Sequence, residues 1–328
     1  MAEGAVPTAS ETDLSLDRIA EAARTIDPLF RDTPQWVDGQ LCARLGRRVL
    51  VKAETLNPLR SFKGRGADYL VGRMPPGTTV VCGSSGGNFG QAVSWAARRH
   101  GLRAEVFLPA EVAPVKARRT ADLGGRVHLV DGDVNAAAEA YAAEGADRVW
   151  VVDGREPAVA EGAGTIGVEL LAAGGFDTVV LPLGDGALAS GVARWVKAHD
   201  PTVRVVGVAS AAAPALARSY RAGRVVEVEP TDAFAAGITV RRPTPEAVRR
   251  TRALVDDVLL VDREELRDAM RLAAETLGLL LEPAGAAGLA ALAHRPVPGR
   301  TVATVLTGAN LDPADLAALW SSTPTRRE

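Results

Sequence analysis

The sequence predicts an α/β fold of open, mostly parallel, twisted sheets flanked by helices. Three observations carry this. Short β-branched runs alternate with helical segments of about ten residues, the pattern of parallel βαβ units. Several runs empty directly into turns of small residues, as at Gly83-Ser84-Ser85-Gly86-Gly87 and Gly184-Asp185-Gly186. A chain of 328 residues, 47% hydrophobic and 24% charged, is long and apolar enough for one large or two medium α/β domains.

Taken in order, Leu14, Ile19 and Ala23 give residues 13–25 an apolar helical face, and Asp32-Thr33-Pro34 closes that region as a turn. A strand at 48–53 leads into Asn57-Pro58, which bars further helix or sheet. Residues 66–73 read as a helix, Pro75-Pro76-Gly77 as a break, and 78–82 as a strand before a helix ending near Arg99. The pattern then recurs, with strands at 104–108, 126–130 and 149–152 and helices at 115–123 and 134–144. A helix at 161–173, a strand at 178–183, a helix ending near Ala198 and a strand at 203–209 follow. Residues 214–221 read as helical and 223–246, with Pro230, Pro243 and Pro245, as irregular. A strand at 258–261 meets Asp262, a good N-cap for a helix at 263–277, and a helix at 285–294 and a strand at 301–306 complete the chain.

Composition excludes several functions. Net charge is −2 without a basic cluster, which argues against nucleic acid as a partner. Cys42 and Cys82 form no disulfide framework, and His100, His128, His199 and His294 form no metal-ligand pair, so no metal site is expected. No apolar run reaches membrane-span length and the first ten residues lack the features of a signal peptide. A cytoplasmic protein with disordered tips at Met1–Ser10 and Ser321–Glu328 is expected.

Lysine occurs only at Lys52, Lys63, Lys116 and Lys197, which leaves few candidates for amine chemistry. Ser61 sits where a helix N-cap would, with Lys63 in the first turn behind it. The positive end of a helix dipole disfavours an ammonium there, and a lysine of lowered pKa is what Schiff-base chemistry needs. Taken alone, the segment also describes an ordinary solvated lysine. Gly184–Leu188 fits a phosphate cradle, because small residues let backbone N–H groups approach a dianion at a helix start, although such turns also serve tight packing. Asp185 is awkward beside a phosphate and is expected to face away. Ser84–Gln91 offers hydroxyls, backbone donors and an amide suited to a carboxylate, or simply an N-cap turn. Thr307, ending a strand, also fits a structural hydroxyl.

Together these segments resemble a family. Lys52-x-Glu54-x-x-x-Pro58-x-x-Ser61-Phe62-Lys63-x-Arg65-Gly66-Ala67 is similar to the pyridoxal-phosphate lysine motif of serine/threonine dehydratases and serine racemases, which are fold-type II enzymes. Ser85–Gln91, Gly184–Leu188, Ala236–Val240, Leu281–Ala286 and Leu306–Asn310 agree in order and spacing, so the resemblance covers roughly residues 15–315. It implies that Lys63 joins the cofactor as a Schiff base and moves the Cα proton. Phe62, Asn88 and Glu282 would lie against the cofactor, with Asn88 on its phenolic oxygen. Gly184, Asp185, Gly186, Ala187 and Leu188 would hold its phosphate, and Ser85, Gly86, Gly87, Asn88 and Gln91 would receive the substrate carboxylate. Thr307 would face the pyridine nitrogen. A hydroxyl there cannot hold a ring proton as an aspartate would, so β-elimination is favoured over transamination.

The resemblance implies a large domain at 1–78 and 156–328, a small mobile domain at 79–155, a homodimer, and an amino-acid substrate such as threonine or serine, giving a 2-keto acid and ammonia. β-Replacement and binding without turnover are the alternatives. Ser84 and Ser85 are the candidate hydroxyl acid/base residues. Where racemases carry a second serine stands Gly86, which counts against racemisation. Phe89 replaces a common histidine, Asp185 and Ala187 interrupt a loop usually all glycine, and Ala209 stands where metal-activated relatives place an acid. The chain stops soon after the catalytic part, so no end-product inhibition is expected.

Overall fold

The β-branched runs assemble into two sheets in the computed structural model, which describes residues 12–312, 316, 317, 319 and 320. The terminal tips expected to be disordered lie outside the described residues. The chain runs α1 (Leu16–Thr25), β1 (Gln35–Val37), α2 (Gly39–Leu45), β2 (Arg48–Ala53), α3 (Lys63–Val71), β3 (Thr79–Gly83), α4 (Asn88–Arg99) and β4 (Arg103–Pro109). It continues through α5 (Pro114–Asp122), β5 (Gly125–Val130), α6 (Val134–Ala143), β6 (Arg148–Val151), α7 (Pro157–Ala173), β7 (Thr178–Pro182), α8 (Ala187–His199) and β8 (Arg204–Ser210). The last elements are α9 (Ala215–Ala222), α10 (Pro245–Leu254), β9 (Asp257–Val261), α11 (Arg263–Leu277), α12 (Ala287–His294) and β10 (Thr301–Leu306).

The larger sheet has the order β1-β2-β10-β7-β8-β9, and the smaller β5-β4-β3-β6. All pairings are parallel except β1 on β2, where Gln35 lies opposite Lys52. Side chains alternate across the larger sheet, as a two-residue period requires. Val179, Leu181, Val205 and Ala303 face one core, shared with Val80, Cys82 and Val106 of the smaller sheet. Val180, Val206, Val208 and Val302 face another, covered by α11 and α12 through Leu266, Met270 and Leu289. Among the described residues no helix is long and apolar enough to cross a membrane.

Four elements named here differ from the sequence reading. The helix placed at 66–73 begins at Lys63, with Phe62 rather than Ser61 at the cap position. Ser61 still contributes, because its Oγ accepts the Lys63 N–H at 3.2 Å. Residues 245–254, adjoining the stretch read as irregular, form α10, started by Thr244, whose hydroxyl accepts the Ala247 N–H, and by Pro245 at the first helical position. β1 and α2 have no counterpart in the sequence reading; α2 is held by Asp38 at its N-cap and Gly46 at its end.

A buried charge network ties the first turn of α3 to the sheet. Arg65 is fully buried. Its guanidinium donates to Glu54 at 2.8 and 2.9 Å, to Glu169 at 2.6 and 3.0 Å, to Thr165 at 2.8 Å and to Thr33 at 3.1 Å. Lys52 pairs with Glu169 at 2.6 Å and donates to the Thr33 carbonyl at 3.1 Å. Two cations thus face two carboxylates. Burial opposes the Arg65 charge, but Glu54 and Glu169 outweigh it and hold its pKa above the ordinary arginine value. Burial likewise opposes the Glu169 charge, and Arg65 with Lys52 outweighs it, lowering that pKa.

Removing one partner leaves the others uncompensated in the interior. Arg65→Ala is expected to cost about 3–5 kcal/mol, read as a fall in thermal midpoint, while replacing an exposed arginine such as Arg224 leaves the midpoint unchanged.

Candidate active site

Parallel sheets gather ligands at the carboxyl ends of their strands. Here β2, β3, β6, β7 and β10 all deliver their following residues to one cleft of about 860 Å³, counting its open mouth. Phe62 and Lys63 come from the β2–α3 connection, and Ser84, Ser85, Gly86 and Asn88 from β3–α4. Asp153 follows β6, Gly184 to Leu188 follow β7, Glu282 precedes α12, and Thr307 follows β10. The ends are stitched together. Glu54 N–H donates to the Leu306 carbonyl at 3.0 Å and Phe62 N–H to that of Thr307 at 3.1 Å.

Lys63 is the one lysine lining this cleft. Lys52 is committed to the buried network and Lys197 to Asp256 at 2.6 Å. Lys63 Nζ lies 4.7 Å from the Phe62 ring centroid and forms an ion pair with Asp153 Oδ2.

The β7–α8 loop has the build of an anion cradle. A side chain on Gly184 would come within 2.5 Å of the Gly237 carbonyl, and Gly186 has φ +87°, a left-handed conformation. Gly186 caps α8, so the first-turn amides of Ala187 and Leu188 lack intrahelical partners. The expectation that Asp185 turns away is not met. It lines the cleft, close enough to Asp153 and Lys63 to feel both charges. Burial, then repulsion from Asp153, push its pKa up to about 7, and Lys63 only partly offsets them.

The two serines differ. Ser84 is buried and its Oγ accepts the Gly90 N–H at 3.0 Å, in the first turn of α4. Ser85 is exposed at the cleft. Gln91 lies outside the lining, next to Gly87, and both its amide atoms are buried without a partner. Asn88 donates to Glu282 Oε1 at 2.6 Å and accepts from Asn310 Nδ2 at 2.7 Å. Burial raises the Glu282 pKa, against Lys116 and the Asn88 hydrogen bond. Thr307 is buried at the cleft wall. Asp153 escaped the sequence reading, since a single aspartate after a strand carries no pattern. Among the described residues no group of three His, Cys, Asp or Glu is placed to hold a metal ion.

The profile of the family described as pyridoxal-phosphate dependent enzyme matches residues 26–308. The chain belongs to this family. As a pyridoxal-phosphate dependent enzyme it is 33% identical over 308 residues to the L-threonine ammonia-lyase of Thermotoga maritima, covering 91% of this chain and 76% of that one. It is 33% identical over 289 residues to the biosynthetic L-threonine dehydratase of Pasteurella multocida, covering 85% of this chain but only 56% of that enzyme's length. The crystal structure of the T.th. threonine deaminase superposes with a TM-score of 0.83 at 34% identity, covering 91% of this chain and 99% of that one. The mostly parallel two-sheet architecture is that of fold-type II. The residues present fit the cofactor: an amine at the cleft, a cradle at a helix start where Gly184 and Gly186 leave room for backbone N–H groups to meet a phosphate, and the orphaned Gln91 amide beside a small-residue loop.

Asp185 gives this site a pH signature. Its folded pKa lies above the ordinary 3.8. Between about pH 4 and pH 7 the unfolded chain ionises this group while the folded protein keeps it protonated, so stability falls as pH rises through that window and levels off above it. In the cofactor-free protein Asp185→Asn is expected to remove this loss, gaining roughly 1–4 kcal/mol over wild type at pH 8 and little at pH 4, measured by thermal midpoints across pH.

Proposed function

We propose that this chain is a lyase that eliminates the β-substituent of a small L-amino acid, releasing a 2-keto acid and ammonia. Serine and threonine are the default hydroxyl-bearing substrates. The observation that carries the reading is the pairing of Lys63 with a neutral hydroxyl, Thr307, at the end of β10, in one cleft. The identity to enzymes named threonine ammonia-lyase and threonine dehydratase supports it.

Bound pyridoxal phosphate supplies an electron sink conjugated to Cα. The loop from Gly184 to Leu188 would hold its phosphate by backbone N–H groups, with the α8 dipole behind them. Thr307 would offer the ring nitrogen a hydroxyl and no charge, which would leave that sink weak and favour loss of a β-group. Gly86, Gly87 and Gln91 orient the substrate carboxylate, with the Ser85 hydroxyl at the same mouth. Lys63 Nζ takes the Cα proton. Asn88, steadied by Glu282 and Asn310, would present its amide to the cofactor's phenolic oxygen. Residues 79–155, which carry the smaller sheet, act as the mobile domain that closes against 1–78 and 156–328 and keeps water from the reactive product. The working form is a cytoplasmic homodimer.

Incubating the cofactor-loaded protein with L-serine and L-threonine, with no added nucleophile, is expected to yield 2-keto acid and ammonia in equal amounts, with Lys63→Ala lowering the rate by at least about a thousandfold. Product formed only when a thiol or amine is added would show replacement instead.

A further inference from the structure

Three acidic side chains line the cleft, of which Asp185 is held protonated up to about pH 7 by burial. Asp153, Asp185 and Glu282 line it with Lys63, the one cationic side chain among the described lining residues, and Lys116 lies beyond Gly86 and Glu282. Glu282 is engaged by Asn88. Asp153 is 9% exposed and depends on Lys63 alone, because its second oxygen, Oδ1, is buried and has no hydrogen-bond partner. A lysine nitrogen joined to an aldehyde carbon keeps at most one hydrogen, against the three of an ammonium. Loading the cofactor therefore leaves the Asp153 carboxylate short of donors in a nearly dry site, an arrangement that is costly unless another cation arrives.

We propose that the substrate is an L-amino acid with a protonated amine on Cβ, an α,β-diamino acid, and that Asp153 holds this amine. This rests on the elimination reading and narrows it. Lys63 Nζ must approach Cα to remove its proton, and a group on Cβ is only two bonds from Cα. A carboxylate in contact with Nζ is accordingly within reach of that group. Ser85 and Asn135, which share the mouth, carry neutral side chains that offer an ammonium no repulsion.

The chemistry balances. The Cα–H proton goes to Lys63 and its electron pair becomes the Cα–Cβ double bond. The Cβ–N bond breaks with its pair on nitrogen, which leaves as ammonia. A hydroxyl must gain a proton to leave, whereas an ammonium already carries it and leaves neutral. The enamine tautomerises, takes up water and loses the second nitrogen, so one diamino acid and one water give one 2-keto acid and two ammonia.

Two measurements on the cofactor-loaded protein test this. The first is keto-acid release from L-2,3-diaminopropionate, L-serine and L-threonine by wild type and by Asp153→Asn. The second is calorimetric binding of 2-methyl-2,3-diaminopropionate and 2-methylserine, which lack a Cα hydrogen and cannot react. The diamino acid is expected to lead in kcat/KM by at least about tenfold, the scale of one charge-assisted hydrogen bond. Its methyl analogue is expected to bind tighter by a similar factor, and Asp153→Asn to collapse both ratios. Equal or better use of serine or threonine would overturn the substrate assignment while leaving elimination intact. If no compound yields keto acid the elimination reading fails, and the binding ratio on wild type alone still decides whether the site selects the diamino class.

Discussion

The guanidinium of Arg65 is the constraint on which the rest of the site depends. It lies wholly inside the protein two residues beyond Lys63, and it is tolerable there only because Glu54 and Glu169 meet it with paired hydrogen bonds. Those partners belong to the end of β2 and to α7, so satisfying one charge fixes the position of three elements. α3 can start at one place only, and Lys63 is thereby aimed into the cleft. The glycines of α7 serve the same end: a side chain on Gly162 would come within 2.6 Å of the Arg65 carbonyl. Charge demands the contact and small residues permit it.

With that corner held, both sheets deliver their carboxyl ends to one volume. The result is a site whose parts come from sequence positions as distant as Lys63 and Thr307, joined by backbone hydrogen bonds between the two connections. The cleft is also unusual in its charge. A phosphate cradle containing Asp185 beside Asp153 works against anions; burial first, and repulsion from Asp153 second, raise the Asp185 pKa. Protonating Asp185 relieves that repulsion. Asp153 pairs with Lys63 through one oxygen and leaves the other without a partner, which is why that ion pair bears on what the site selects.

Much of this was legible in the chain, for identifiable reasons. β2, β10 and α11 begin and end where the sequence places them, because β-branched runs end at polar turns and Asp262 with Glu265 forms a reciprocal capping box. α10 was hidden by prolines that mark an irregular segment and a helix start equally well, since Thr244-Pro245 is both. α3 begins earlier than its apolar pattern because its first turn is held by ion pairs from elsewhere. The loops that form the cleft carried the family resemblance. Asp153 did not, since its meaning comes wholly from an amine 90 residues away. Ser84, expected as a reacting hydroxyl, also accepts the amide of Gly90, a local hydrogen bond that only the turn geometry reveals.

The central claim is that the amine of residue 63 carries the cofactor. Reducing the cofactor-loaded protein with borohydride, digesting it and locating the pyridoxyl group by mass spectrometry tests this directly. The account requires the label on the peptide containing Lys63 and on no other. A label on Lys52, Lys116 or Lys197, or a protein that takes up no cofactor, would contradict it.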